Sequence, residues 1–136
     1  MSYDFAISFA APERPIAEAI ALAVRNAGFR VFYDAFESVE LWGEDLTVAL
    51  PKRYKSARFA AALISESYLK RMWTVLERQV ILETFLELGG AGYFLPIFVG
   101  EVEASLPGLS KVVGYRRIKD ATEAEELAKA IISKLG

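Results

Sequence analysis

The amino-acid sequence predicts an α/β fold in which a five-stranded parallel sheet carries helices on both faces. Three observations lead there. Short apolar runs alternate with stretches of helical spacing along the chain, and repeated β–α–β units close into a parallel sheet covered by its crossover helices. The third run, Arg58-Phe59-Ala60-Ala61-Ala62-Leu63-Ile64-Ser65, is apolar almost throughout, as in a strand buried on both faces. Prolines and glycines (Pro12, Pro15, Gly28, Pro51, Gly89, Gly90 and Gly92) mark boundaries between the runs.

Phe5-Ala6-Ile7-Ser8-Phe9 reads as the first strand. Pro12 and Pro15 open a helix, where an early proline is tolerated. Its apolar spacing is Ile16, Ile20, Ala23, Val24 and Ala27, and Gly28 stands where a C-terminal cap belongs. Phe29 to Tyr33 is the second strand, ending at Asp34, and a loop follows from Ala35 to Gly43. A shorter helix begins near Glu44 and Asp45, uses Leu46 and Leu50, and is bent or ended by Pro51, which lacks an amide donor. After the third strand a long helix is expected from about Tyr68 to Leu88, stopped by the glycines. Tyr93 to Val99 is the fourth strand and Val113 to Ile118 a short fifth at an edge. Thr122 and Glu125 have the spacing of a capping box for the last helix, whose buried stripe is Leu127, Ile131 and Leu135.

The 136 residues suit a single domain spanning 1–136, with 54% hydrophobic and 25% charged residues. The net charge of −2 argues against nucleic acid as a partner, since phosphate binding needs a basic face. Cysteine and histidine are absent from the sequence. Disulfides, thiol nucleophiles, Ser–His catalysis and Cys- or His-based zinc sites are thereby removed. Chemistry has to run on carboxylates, Lys, Tyr, Ser or Thr, or on a bound cofactor. There is no basic leader at the N-terminus and no apolar run of roughly 18 to 20 residues, so a cytoplasmic protein without a membrane partner is expected. Nothing marks Gly136 as a natural end, so the chain can equally be a piece of a longer one.

In such a sheet, ligands bind outside the carboxyl ends of the strands. Four segments converge on that rim: Ser8 to Ala11, Asp34 to Gly43, Ser65 to Trp73, and Gly100 onward. The rim lacks the G-x-G-x-x-G of a dinucleotide fold, a P-loop, and a phospho-accepting Asp after the third strand. What it does carry is Trp73 and Glu77, four apart on one helix face. A carboxylate desolvated by an aromatic wall responds strongly to a nearby cation. One such group can stabilise the oxocarbenium-like sugar left when a cationic base departs, bind its hydroxyls, or attack the anomeric carbon. The same spacing also fits a packed Trp73 and a solvated Glu77 paired with Arg78, Arg71 or Lys70.

Several stretches together resemble the Toll/interleukin-1 receptor (TIR) domain family, in its bacterial type. Tyr3-Asp4-Phe5-Ala6-Ile7-Ser8-Phe9 is similar to the family's first box, and Gly28 to Asp34 to its second strand and terminal Asp. Leu41-Trp42-Gly43-Glu44-Asp45-Leu46 is similar to the end of the BB loop. Leu63 to Tyr68, then Trp73-Thr74-Val75-Leu76-Glu77-Arg78, resembles the strand and helix that carry the family's catalytic glutamate. Ala10-Ala11 stand where the family often has a polar residue, Thr74 where it often has Cys, and the F-W box of animal receptors is missing.

The resemblance implies a flavodoxin-like three-layer sandwich and an NAD glycohydrolase, giving nicotinamide plus ADP-ribose or a cyclic ADP-ribose. It implies Glu77 as the catalytic residue and Trp73 as an aromatic wall, with Ser8, Phe9 and Ala10 at the nicotinamide end and Asp34 and Trp42 on the ribose side. For Ser8 and Asp34 backbone or loop capping is the alternative, and for Trp42 packing under the loop. Self-association would use Phe36, Glu37, Glu40, Leu41 and Gly43, building a homo-oligomer or filament, with a fused or separate sensor and a role in bacterial anti-phage defence. NAD is then a substrate, with neither cofactor nor metal expected. The alternative is a non-catalytic TIR interaction module, an adaptor or a mimic of host signalling; a nucleoside-processing transferase is a third reading.

Overall fold

In a computed structural model, which describes residues 2–70, 93–103 and 114–136, five strands form one parallel sheet. They are β1 (Tyr3–Ser8), β2 (Val31–Phe32), β3 (Ala57–Ile64), β4 (Phe94–Val99) and β5 (Arg116–Ile118), in the order β2-β1-β3-β4-β5. Helices α1 (Arg14–Asn26), α2 (Ser38–Leu41), α3 (Leu46–Lys55), α4 (Glu66–Lys70) and α5 (Ala124–Leu135) complete the described elements.

Successive strand side chains point to opposite faces, and each face buries its own core. Phe5, Ile7, Tyr33, Ala61, Leu63 and Ile97 face α1 and α5, packing on Ile16, Ile20, Val24, Leu127 and Ile131. Ala6, Phe32, Ala60, Ala62, Ile64, Phe94 and Phe98 face the other way, onto Tyr54 of α3 and Tyr68 of α4. This is the expected three-layer sandwich. The alanines of β3 are essentially inaccessible, and their small side chains bring both helical layers close to the sheet.

Several local expectations change. Strand β2 keeps only Val31 and Phe32, and residues 34–37 follow it as a 3-10 turn that leads into α2. The stretch expected as a loop is therefore mostly short helical turns. Helix α3 continues through Pro51 to Lys55, with hydrogen bonds on either side of the missing donor: the Ala49 amide to the Asp45 carbonyl at 2.9 Å and the Ser56 amide to the Lys52 carbonyl at 3.1 Å. Strand β5 starts at Arg116, and its ladder with β4 begins at Ile97, one residue past Pro96, which has no N–H to give. The cap ahead of α5 is Asp120 rather than Thr122. Its carboxylate accepts from the Thr122 amide at 2.9 Å, and the Glu123 carboxylate reaches back to the Lys119 amide at 2.9 Å. The Thr122 hydroxyl, which also donates to Asp120, and then the Thr122 amide hold the Asp120 carboxyl below its ordinary value. On α1, Ala17 and Ala21 fill the buried stripe and Ala27 is exposed, while Gly28 caps the helix at φ +99°, a left-handed conformation that favours glycine. Among the described residues no helix is long and apolar enough to cross a membrane.

Candidate active site

The order in which strands are added reverses at β1, although all strands stay parallel: the crossover from β1 leads outward to β2, and β3 begins the other half of the sheet on the opposite side of β1. Such a switch point leaves a crevice at the carboxyl ends of the strands. Beside it, above β1 and β2, lies a cavity of about 560 Å³ whose walls include Phe9, Arg14, Asp34, Leu41, Trp42 and Tyr54. That volume suits a small organic ligand. A second cavity of about 520 Å³ lies between β4, β5 and α5, away from the switch point, with a lining that is largely aliphatic.

Each wall residue is held by a definite local cause. Phe9 follows β1 directly. Asp34 follows β2 and opens the 3-10 turn. Arg14, at the start of α1, grips Asp34 with two hydrogen bonds of 3.1 and 3.0 Å and donates to the Tyr33 hydroxyl at 2.8 Å. Its guanidinium also lies 4.9 Å from the centre of the Phe9 ring. The bidentate bond to Asp34 raises the Arg14 pKa, so the group is a permanent cation. Trp42 stands 87% exposed, next to Gly43 at φ +84°. Packing beneath the loop is therefore not its role.

The expected site residues divide into three groups. Phe9, Asp34, Leu41 and Trp42 come together around the cavity. Ser8 and Ala10 lie beside it but are buried, and the Ser8 hydroxyl is engaged with the Tyr68 hydroxyl at 3.0 Å. Glu77 and Trp73 lie outside the described residues. Of the residues expected for self-association, Glu40 and Gly43 are exposed. Phe36 and Glu37 turn inward. Phe36 packs at 5.0 Å on Tyr33 and lies under the Arg25 guanidinium at 4.1 Å. The Glu37 carboxylate accepts from the Tyr3 hydroxyl at 2.5 Å and from Arg53 at 3.4 Å. Burial, then that bond, pushes the Tyr3 phenol up to about 12.

Two residues were not singled out from sequence. Arg14 is one, and the only available signal was a cation at a helix start near a strand-terminal Asp. Glu13 is the other: it ends the turn after β1, only 9% exposed, and accepts a short hydrogen bond from the Ser65 hydroxyl. Among the described residues no metal-holding group of three or more His, Cys, Asp or Glu side chains is present. The cavity thus offers aromatic faces, a fixed carboxylate and a fixed guanidinium. These are groups that receive a ring, a sugar hydroxyl and an anion.

Comparison with known proteins gives this geometry a context. AaTIR of Aquimarina amphilecti, a 3′ cyclic ADP-D-ribose synthase, is 37% identical over 134 residues, covering 98% of this chain and 40% of its own length. BtTIR of Bacteroides thetaiotaomicron, a 2′ cyclic ADP-D-ribose synthase, is 34% identical over 97 residues, covering 71% of this chain and 32% of its own length. The chain therefore spans well under half of either relative. Among solved structures, a metazoan TIR-STING receptor from C. gigas in complex with 2′,3′-cGAMP superimposes with a TM-score of 0.64 at 18% identity, over 98% of this chain and 39% of that one, which speaks to the fold. The family model described as TIR domain matches residues 5–132. With a match of that length on a sheet of this order, the chain belongs to the TIR domain family.

Proposed function

We propose that this domain cleaves NAD at the bond between nicotinamide and ribose. The observation that carries the reading is the cavity at the ends of β1 and β2, walled by Phe9, Asp34 and Trp42 and braced by Arg14, in a TIR domain similar to two cyclic ADP-ribose synthases. Nicotinamide in NAD is a cationic leaving group. As the C–N bond breaks, its electron pair stays on the ring nitrogen, and the ribose carbon takes up the positive charge. Glu77 is the carboxylate that stabilises this charge. Phe9 and Trp42 supply faces for the ring, Trp73 a further wall, and Asp34 an acceptor for a ribose hydroxyl. Ser8 and Ala10 shape the nicotinamide end from beneath.

Capture of the sugar by water gives ADP-ribose and a proton. Capture by a hydroxyl of the same molecule, which also gives up its proton, yields a cyclic ADP-ribose. The reaction needs neither cofactor nor metal. Activity depends on self-association through the exposed part of residues 38–44, under the control of a sensor domain, in an anti-phage response inside the cytoplasm. The test is nicotinamide release from NAD at high protein concentration, with the Glu77→Gln variant beside the wild type. Loss of release in the variant at unchanged thermal stability is expected, and equal turnover overturns the role of Glu77. Val39 and Trp42, 74% and 87% exposed on one short segment, favour a second reading, a protein-binding module without chemistry. Absence of turnover even in forcibly clustered protein supports that one.

A further inference from the structure

We propose that Arg14 anchors the diphosphate of the substrate, through the edge of its guanidinium that meets no acceptor among the described residues. This inference rests on the NAD-cleavage reading above and deepens it, by assigning the part of the dinucleotide that lies next to the ribose.

A guanidinium carries five N–H donors in one plane. Arg14 uses three of them: Nη1 donates to the Tyr33 hydroxyl at 2.8 Å and to Asp34 Oδ1 at 3.1 Å, and Nη2 donates to Asp34 Oδ2 at 3.0 Å. The two that remain, Nε–H and the second Nη2–H, run parallel along a single edge of the plane. Among the described residues neither meets an acceptor. Such a parallel pair is the fork that takes two oxygens of a phosphate at once. The plane itself is held in place, with its central carbon 4.9 Å from the centre of the Phe9 ring and 5.6 Å from that of Tyr33. Asp34 offsets the charge of Arg14 but also fixes the direction of the fork, and a donor pair already oriented loses little freedom on binding.

Stability does not account for this arrangement. The Arg14 and Asp34 side chains are 46% and 49% exposed, and an ion pair so open to water contributes little to folding. Position in the cavity does account for it. Among the described residues Arg14 is the only cation in the cavity wall. The groups around it also follow the order of the parts of NAD. Phe9 and Trp42 offer faces to a ring, Asp34 an acceptor to a ribose hydroxyl, and Arg14, bonded to Asp34, a fork to the phosphate carried by that same ribose. A carboxylate oxygen accepts more than one hydrogen bond, so Asp34 can hold Arg14 and a hydroxyl together.

The experiment follows nicotinamide release by the wild type, Arg14→Gln and Arg14→Lys from two substrates, NAD and nicotinamide riboside. The riboside has the same scissile bond and no phosphate. Where it is not cleaved, its inhibition of NAD cleavage is read instead. Loss of the charge-assisted fork is expected to raise KM for NAD about tenfold or more. The corresponding value for the riboside should stay within about threefold of the wild type. Arg14→Lys keeps the charge without the fork, so its KM for NAD should lie near that of Arg14→Gln. A lysine can still reach Asp34, so this variant carries the test should Arg14→Gln fail to fold. A wild-type KM for NAD in either variant overturns the proposal. An equal loss with the riboside also overturns it, since Arg14 would then act only by holding Asp34. If the wild type itself releases no nicotinamide, the NAD reading fails, and calorimetry with inorganic diphosphate decides the anchor alone. Binding that both variants weaken about tenfold or more supports it, and absent or undiminished binding overturns it.

Discussion

Trp42 offers the sharpest separation of site from fold. With 87% of its surface exposed, roughly an eighth of a side chain that can bury up to about 250 Å² is covered. At about 25 cal/mol per Å², truncating it to alanine removes under about 1 kcal/mol of burial. The melting and denaturant curves of Trp42→Ala should therefore lie close to those of the wild type. Its contribution to substrate binding should be much larger. Stacking of a base on an aromatic face is worth about 1–3 kcal/mol, which corresponds to a rise in KM of about 5- to 150-fold. The assay is nicotinamide release over a range of NAD concentrations, run beside a urea titration on the same protein. A KM within about twofold of the wild type refutes Trp42 as a wall of the substrate site. A stability loss above about 2 kcal/mol refutes the reading of its exposure.

Two other perturbations test the frame. Phe32, 1% exposed and edge-on to Tyr54 at 5.2 Å, forms part of the cavity floor; Phe32→Ala should cost about 3–5 kcal/mol, read from the urea midpoint. The Tyr3 phenol moves from 10.0 to about 12 on folding, because burial and then its bond to Glu37 favour the neutral form. Its contribution is complete below pH 10 and declines as the pH rises toward 12, so wild-type melting temperatures should fall over that window and Tyr3→Phe should flatten the fall.

The sheet was legible because its signal is local. The short apolar runs, Phe5-Ala6-Ile7 in β1 and Ala60-Ala61-Ala62-Leu63-Ile64 in β3, mark strands covered on both faces without reference to any other part of the chain. The end of β1 and the Asp after β2 could accordingly be assigned to the rim. Residues 34–41 were not legible in that way. Their short helical turns are set by contacts distant in sequence, Phe36 against Arg25 and Glu37 against Tyr3 and Arg53, and no apolar period records such contacts. The inward turn of Glu37 was hidden for the same reason, since an acid in a loop reads as a solvated acid. Arg14 and Glu13 stand around prolines at a helix start, where charge is ordinary, and only the pairing with Asp34 and Ser65 gives them meaning. Pro51 does not end its helix: one missing amide is tolerated when the turns on either side keep theirs.

The two edges of the sheet restrict how copies of this domain can meet. β2 offers two residues, with the 34–37 turn directly after it, and β5 offers three, two of them exposed arginines. Neither is a template on which a second chain could lay a strand, because a backbone ladder needs length and a flat, uncharged edge. Among the described residues, then, no sheet edge suits growth of a fibre by continuous hydrogen-bonded sheet. Within the described residues, a contact between copies falls to side chains on helices and loops, where it can be made, broken and tuned one residue at a time.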